Sequence, residues 1–534
     1  MKILLMAIYT QGMNRMLDEV GISSIASYLR QFKYDVMIIG TNDDKVNYKQ
    51  ILDYGPDIIG VNIYSTSKQS VYDIVKKLKI KLPDTTICAG GYVPTFNAEE
   101  VLRESEEIDI CVRGEGEITF KEVVERMEEG RELDGVRGIT YRKLDRIITN
   151  PDRPKIKNLD ELPFPARDML KDNKMYMAGL STSRGCTSKC SFCAAPFFWK
   201  NWRGKDVIIS VDEIENIIST CNINVFHFLD GSFHDPDLNN NRVKSLAEEI
   251  VKRGLKICYI AGFRTDFHIK ASPDLMKVLK ESGLCIAFIG VESNSEKDLK
   301  LYNKRASLED NMKAIELFRN HEIYVEIGFI NFNPYSSFTS LRENIDFLEV
   351  SNHASNIFHF TTKAFIYDGT SLGDKIRNDK LIVDFKNGVA KYTFIDDRIE
   401  MLCNYLNDES SSVLNYDHIR RLSFYTSNYN EYISVLKRQS LLQENIQAID
   451  YLKEYEEFMF DKMRYLSKEH AKWFRLLVEL AEYGWQVEKA DKIVSDILLV
   501  DSMVSLTECI EKKIRLLHKN LFKTGLEYTG PDFS

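Results

Sequence analysis

Several things are scarce or missing in this 534-residue chain, and each absence removes a class of protein. No apolar run approaches the roughly 20 residues needed to cross a membrane. Ten cysteines are too few for a disulfide scaffold. Neither charge sign dominates: 71 basic against 80 acidic residues give a net charge of −9, which argues against general nucleic-acid binding. No internal short-period repeat or low-complexity tract appears. No G-x-G-x-x-G follows the first apolar run; Thr10-Gln11-Gly12-Met13-Asn14 stands there instead, so a dinucleotide-binding fold is unsupported. No histidine precedes His227. What is present is ordinary globular material, 44% apolar and 28% charged, which leaves little room for disorder or coiled coil. At this length about three or four domains are expected.

The chain divides by pattern. In residues 1–130 apolar strands (Lys2–Tyr9, Asp35–Ile39, Asp57–Tyr64, Thr85–Ala89, Asp109–Val112) alternate with amphipathic helices. The Lys2–Tyr9 run is short and lacks a small-residue cleavage site, so it reads as a buried strand rather than a signal peptide. Continuous apolar strands separated by helices argue a parallel sheet covered on both faces, a doubly wound domain of flavodoxin type. Residues 131–174 hold a short hairpin and a proline-punctuated linker with Pro151, Pro154, Pro163 and Pro165. Residues 175–383 return to alternation. Six strand candidates (Met175–Thr182, Val225–Asp230, Lys256–Phe263, Ile286–Glu292, Val325–Phe332, Phe358–Tyr367) are separated by five helices, which predicts a partial (β/α)6 barrel. Residues 384–534 carry helical periodicity without strand alternation and form a helical C-terminal domain.

Seven cysteines are scattered through mostly apolar stretches and read as small buried hydrophobes. The other three form Cys186-x3-Cys190-x2-Cys193. With no signal pointing outside the cell, a reduced cytoplasmic metal site is the default. Thiolates suit zinc and iron–sulfur clusters. A structural zinc wants four ligands, and no fourth cysteine or histidine lies nearby. A four-iron cluster held by three cysteines leaves one iron with an open position, the mark of a catalytic centre. The loop follows the first barrel strand, at the end where barrel active sites lie. A zinc site completed by a distant ligand is the alternative.

Ser183-Arg184-Gly185-Cys186-x3-Cys190-x2-Cys193, with Phe192 before the last cysteine, resembles the signature of radical S-adenosylmethionine enzymes. The resemblance implies a [4Fe–4S] cluster on Cys186, Cys190 and Cys193, and S-adenosylmethionine on the fourth iron. It also implies a 5′-deoxyadenosyl radical that abstracts hydrogen, and an external electron donor such as flavodoxin or ferredoxin. Phe263-Arg264-Thr265-Asp266 and Gly290-Val291-Glu292-Ser293 resemble the ends of the family's third and fourth barrel strands. By that likeness Glu292 and Ser293 face the ribose or amino group, Arg305 the carboxylate, and Phe192 the adenine.

The N-terminal residues Gly90-Gly91, Arg113-Gly114-Glu115-Gly116-Glu117 and the Asp57–Val61 strand resemble the cobalamin-binding domain fused to many radical enzymes. Glycine at strand ends permits close backbone approach; plain tight turns are the bland reading. The family's cobalt-ligating histidine motif is missing, so the expected cofactor is base-off, His-off cobalamin. Its nucleotide tail is expected near Ser65, Thr66 and Gly90, with Gly91, Gly114 and Glu115 at the same edge. The function these likenesses imply is cobalamin-dependent methyl transfer to an unactivated carbon through methylcobalamin. A cyclisation, rearrangement or cross-link without methyl transfer is the alternative. Transfer-RNA methylthiolation would call for more N-terminal cysteines than Cys88 and Cys111, and a non-enzymatic sensor would leave the open-site cluster unexplained. The substrate (small metabolite, lipid or peptide) and any catalytic side chain stay open.

Overall fold

A computed structural model describes residues 1–9, 18–172, 175–234, 236, 239–386, 388–408 and 416–526; Thr10–Asn14, noted above, lies outside them, as do parts of the C-terminal region. The first sheet grows from β1 (Lys2–Tyr9), whose side chains alternate between two cores. Ile3, Leu5 and Ala7 join the helices Val20–Gln31 and Gly116–Glu128, while Leu4, Met6 and Ile8 join Lys68–Lys81 and Ala98–Glu104. Strands β2 (Asp35–Asn42), β3 (Ile58–Asn62), β4 (Thr86–Gly90) and β5 (Ile110–Val112) complete a parallel sheet of order β2-β1-β3-β4-β5, the flavodoxin order. The hairpin β6 (Ile139–Lys143) and β7 (Arg146–Thr149) is not a detached linker element. It pairs antiparallel with β5 and extends this sheet to seven strands.

The linker is pinned to both sides. Arg167 is buried with its guanidinium 2.5 Å from Asp18 and 2.7 Å from Glu213, and Asp18 in turn accepts from the Gly179 amide at 2.8 Å. Two carboxylates compensate one buried guanidinium, and Lys205 pairs with Glu213.

The second sheet is parallel and has five strands: β8 (Ala178–Leu180), then β11 (Val225–Phe228), β12 (Cys258–Arg264), β13 (Leu284–Glu292) and β14 (Tyr324–Phe329). Between β8 and β11 a two-residue pair, β9 (Ser183–Arg184) and β10 (Arg203–Gly204), closes a loop. The expected sixth strand, Phe358–Tyr367, differs. Phe358–Thr361 is a helix, and the strand shrinks to one parallel bridge, Phe332 to Lys363. Two features explain this. The Asn356 side chain accepts from the Phe358 amide at 3.2 Å and starts a turn. Ile357 and Phe360, three apart, are both fully buried while Phe358 is exposed, so the apolar spacing is helical.

The C-terminal region is helical, as expected, except for a hairpin at its start, β15 (Ile382–Lys386) and β16 (Val389–Tyr392). Two expected helices merge into one, Ile446–Tyr483, because no glycine or proline interrupts them. Trp473 and Phe474 are core residues against Phe360, whereas Tyr483 is exposed. Five of the seven scattered cysteines are buried; Cys221 is half-buried and Cys509 exposed. Among the described residues no helix is long and apolar enough to cross a membrane.

Candidate active site

The cysteine loop starts at the carboxyl end of β8 and is tied down at its turns. Gly185 has φ +92°, and a Cβ there would stand 2.6 Å from the Asn201 carbonyl oxygen. Gly231, after β11, packs so tightly on the loop that its own Cβ would reach 2.8 Å from the Gly185 oxygen. The far side rests on the segment after β13. Ser191 donates its amide to the Tyr302 carbonyl (2.9 Å) and its hydroxyl to that of Leu301 (2.6 Å), and Asn303 donates to the Lys189 carbonyl (2.7 Å). Phe192 meets Tyr302 edge-on at 5.2 Å.

Cys186, Cys190 and Cys193 form no disulfide, and each is half-buried. Burial pushes the Cys193 thiol up to about 11 and raises Cys190, which Lys304 partly offsets. A bound cationic cluster reverses that preference by stabilising thiolates. Among the described residues no three Cys, His, Asp or Glu side chains converge as they would on one metal ion. A four-iron cluster asks for something different, since each thiolate binds its own iron. Three thiols outside any disulfide, on one anchored loop, fit that donor set.

At the tip of β12, Arg264 pairs with Asp266 at 3.1 Å and donates to Thr187 of the cysteine loop (3.2 Å) and to Ser232 (3.3 Å). Burial works against ionising Asp266, but His234 and Arg264 outweigh it and hold the carboxyl down at about 2. At the tip of β13, Glu292 takes a left-handed φ of +68° where the pairing with β14 slips. Burial raises its carboxyl above the usual range, and Lys304 opposes this from 3.5 Å. Lys304 also donates to the Gly290 carbonyl at 2.5 Å. A Cβ on Gly290 would come within 2.8 Å of Glu292 and 3.2 Å of Lys304, so glycine makes room for the pair.

The other expected contacts fall differently. Ser293 is fully buried, its hydroxyl 3.0 Å from Asn344 and 3.2 Å from Asp298, so it braces the turn rather than facing the cleft. Arg305 is exposed and has no hydrogen bond or ion pair among the described residues. The buried cation beside the cysteines is its neighbour Lys304. Asn331 and Asn333 bond inward, to the Phe360 carbonyl and to Asp298 and Tyr302.

A cavity of about 270 Å³ lies at the carboxyl edge of the first sheet, and Ser181, Arg184, Phe198, Trp199 and Leu229 from beyond that sheet also line it. Gly90, Gly91, Gly114 and Glu115 line it; Ser65 and Thr66 do not. From that edge a slot descends on the Val20–Gln31 side of the sheet, past Leu5, Gly60, Cys88 and Phe120. A Cβ on Gly60 would stand 2.6 Å from Leu5, so a side chain there would narrow the slot. Gly91 has φ +103°, with a hypothetical Cβ 3.2 Å from the Ile63 oxygen. Asn62, at the end of β3, is buried in the lining, and its Oδ1 has no hydrogen-bond partner. An amide-fringed corrinoid with a long tail fits this combination of an apolar slot, glycine rim and orphaned acceptor. No histidine lines the cavity among the described residues.

Glu115 has a further partner set. It is buried between Arg184 (2.7 Å) and Arg203 (3.0 Å) and accepts from the Ile156 amide, while Arg184 reaches Glu117 at 2.5 Å. Its carboxylate is therefore occupied by the domain junction. Arg184 belongs to the cysteine signature, and its guanidinium lies 5.5 Å from the Trp199 ring. Arg184, Phe198 and Trp199 all line the cavity, so the cysteine loop is also its roof. Sequence reasoning passed over Arg184, Lys304 and Asn62. For Arg184 and Asn62 the available signals were position alone, within the signature and at a strand's carboxyl end.

Two family models match the chain. One, a B12 binding domain, covers residues 14–124. The other, the radical SAM superfamily, covers residues 180–348. An uncharacterized methyltransferase of Pyrococcus horikoshii is 30% identical over 417 residues, 76% of this chain and 87% of that protein. The anaerobic magnesium-protoporphyrin IX monomethyl ester cyclase of Rubrivivax gelatinosus is 28% identical over 393 residues, 70% of this chain and 68% of its own length. Among solved structures, the cobalamin-dependent S-adenosylmethionine radical enzyme OxsB shares the fold with TM-score 0.66 and 20% identity, covering 97% of this chain and 84% of that one. The radical S-adenosylmethionine methyltransferase TsrM of Kitasatospora setae follows with TM-score 0.59 and 16% identity over 72% of this chain and 77% of that one.

Proposed function

We propose, for a chain that belongs to the family of cobalamin-dependent radical S-adenosylmethionine enzymes, that its reaction is methyl transfer to an unactivated carbon. One observation carries this reading: the loop bearing the three cysteines also roofs the glycine-rimmed cavity, through Arg184, Phe198 and Trp199. Two cofactor sites that share a wall suit a reaction in which both act on one substrate. The methyltransferase name of the Pyrococcus horikoshii relative supports the same outcome.

When bound, the cluster with S-adenosylmethionine supplies hydrogen abstraction, and cobalamin supplies a transferable methyl group. The chain's own residues do the rest. Cys186, Cys190 and Cys193 hold the cluster. The Lys304–Glu292 pair sets a charged wall beside them, and Arg264 ties β12 to the cysteine loop. Asn62 offers its acceptor to a corrinoid amide, and Gly60 keeps the slot open. Arg184 and Arg203 lock the two domains through Glu115 and Glu117, and the aromatic roof shields the shared space from water. The electron comes from a small external redox protein.

A second reading, ring formation without methyl transfer, is favoured by the cyclase relative. The test is anaerobic reconstitution with iron, sulfide and cobalamin, then incubation of the enzyme and cell metabolites with S-adenosylmethionine bearing a deuterated methyl group. Label in a carbon-bound methyl of a product supports transfer. Formation of 5′-deoxyadenosine with product but no label favours the second reading.

A further inference from the structure

A larger cavity, about 470 Å³, lies at the foot of the second sheet, under the starts of β13 and β14. It shares no lining residue with the cavity at the domain junction, nor with the cysteine loop, Glu292 or Lys304. The cause of the gap is topological. Where a sixth strand would continue the sheet, the chain forms the short helix Phe358–Thr361, and β14 is left as an edge. His353 and His359 sit against that edge, with His353 3.5 Å from the Val325 carbonyl. The helices Asn428–Leu442 and Ile446–Tyr483 close the outer side, with Met459 and Met463 as adaptable apolar wall.

Its charges do not all cancel. Lys280 pairs with Glu322, and Lys437 with Glu456 at 2.5 Å. Arg438 donates to the Glu281 carbonyl at 2.7 Å. Burial lowers both histidines, so they line the cavity uncharged. Two groups remain. Among the described residues the Arg319 guanidinium has no hydrogen bond or ion pair, and Glu326 has only the Tyr324 hydroxyl at 3.4 Å. Arg319 and Glu326 line the same space without forming an ion pair within 4.0 Å. Glu431 lies behind Glu326; burial, then Glu431, push the Glu326 carboxyl up to about 8, and burial brings Glu431 to about 7. Arg319 is exposed and charged, while a carboxyl at about 8 is mostly protonated at neutral pH. A ligand that brings an ammonium to Glu326 releases that proton to solvent as it binds, and its carboxylate meets the Arg319 guanidinium.

We propose that this cavity is a second binding site, separate from the catalytic one, for a small zwitterion of the α-amino-acid type, with its ammonium on Glu326 and its carboxylate on Arg319. Met459, Met463 and Phe460 then receive the side chain of the ligand, and neutral molecules of similar size gain neither charge contact.

The full-length protein is titrated with the twenty common L-amino acids, their methyl esters and their N-acetyl forms, following thermal midpoint and equilibrium dialysis. At least one free amino acid is expected to raise the midpoint and bind. Its ester, which lacks the carboxylate, and its N-acetyl form, which lacks the ammonium, are each expected to bind at least tenfold more weakly. Glu326→Gln and Arg319→Gln are each expected to weaken binding at least tenfold, and Cys190→Ala to leave it unchanged. Arg319 is exposed, so its variant keeps the test open if Glu326→Gln does not fold. No binding by any amino acid, equal binding by the blocked forms, unchanged binding in the folded variants, or loss in Cys190→Ala would each overturn the proposal.

Discussion

Replacing Arg184 by methionine tests how the two domains are held together. Its side chain is 14% exposed, and those of Glu115 and Glu117 are 5% and 4% exposed. After the change Glu115 keeps Arg203, but Glu117 loses its cation and keeps the Ser24 hydroxyl at 2.7 Å and its own amide. Leaving one buried carboxylate without its cation costs about 3–5 kcal/mol. The pH dependence carries the sharper signature. In the native protein burial works to raise the Glu117 carboxyl, but Arg184 outweighs it and the net shift is downward. A depressed carboxylate contributes stability that is present above its unfolded value near 4.5 and is lost as pH falls through the folded value. Without Arg184, burial, the largest influence, is opposed only by the hydrogen bonds from the Ser24 hydroxyl and the Glu117 amide, and the folded value rises above the unfolded one. The folded state then holds the proton more tightly, and stability falls as pH rises from about 4.5. The penalty of Arg184→Met should therefore be small at pH 4 and full at pH 8. Adding Glu117→Gln should recover about 2 kcal/mol at pH 8, because it removes the orphaned charge. Urea unfolding of the cofactor-free chain, followed through tryptophan fluorescence, reads all three quantities. A penalty under about 1 kcal/mol, the same at both pH values and not rescued by Glu117→Gln, would refute the reasoning.

Four further outcomes are expected. Gly60→Val puts atoms where a Cβ already meets Leu5 at 2.6 Å, so cobalt content after reconstitution should fall at least tenfold while iron is retained. Asn62→Leu removes the orphaned buried acceptor, so the cofactor-free chain should unfold at the same or higher urea concentration while cobalamin binds about tenfold more weakly. In Cys190→Ser, iron content and 5′-deoxyadenosine formation should both be lost, with cobalamin uptake unchanged as the control for folding. Electron paramagnetic resonance of the bound cobalt(II) form should show no nitrogen splitting, because no histidine lines the cavity among the described residues; a nitrogen triplet would exclude the base-off, His-off form.

Short-range pattern was enough to read much of this protein. Strand β1 is apolar on both faces because both faces are covered, and that follows from composition before any contact is known. The cysteine spacing names its chemistry because ligand type and count are local properties. The flavodoxin strand order was legible because alternating strands and helices with right-handed crossovers allow few arrangements. Three things depended on the folded chain. Phe358–Thr361 has apolar residues that satisfy two periods at once, and only the Asn356 turn with the buried Ile357–Phe360 stripe selects the helix. Lys304 and Arg305 are adjacent and alike in charge; which one stands beside Glu292 is set by the path of the chain after the Leu301–Asn303 anchor. Glu115 sits on a glycine-rich corner typical of a ligand contact, yet Arg184 and Arg203 reach it from 69 and 88 residues away. Pairing over such separations depends on where two domains meet, and no local period in the sequence encodes that.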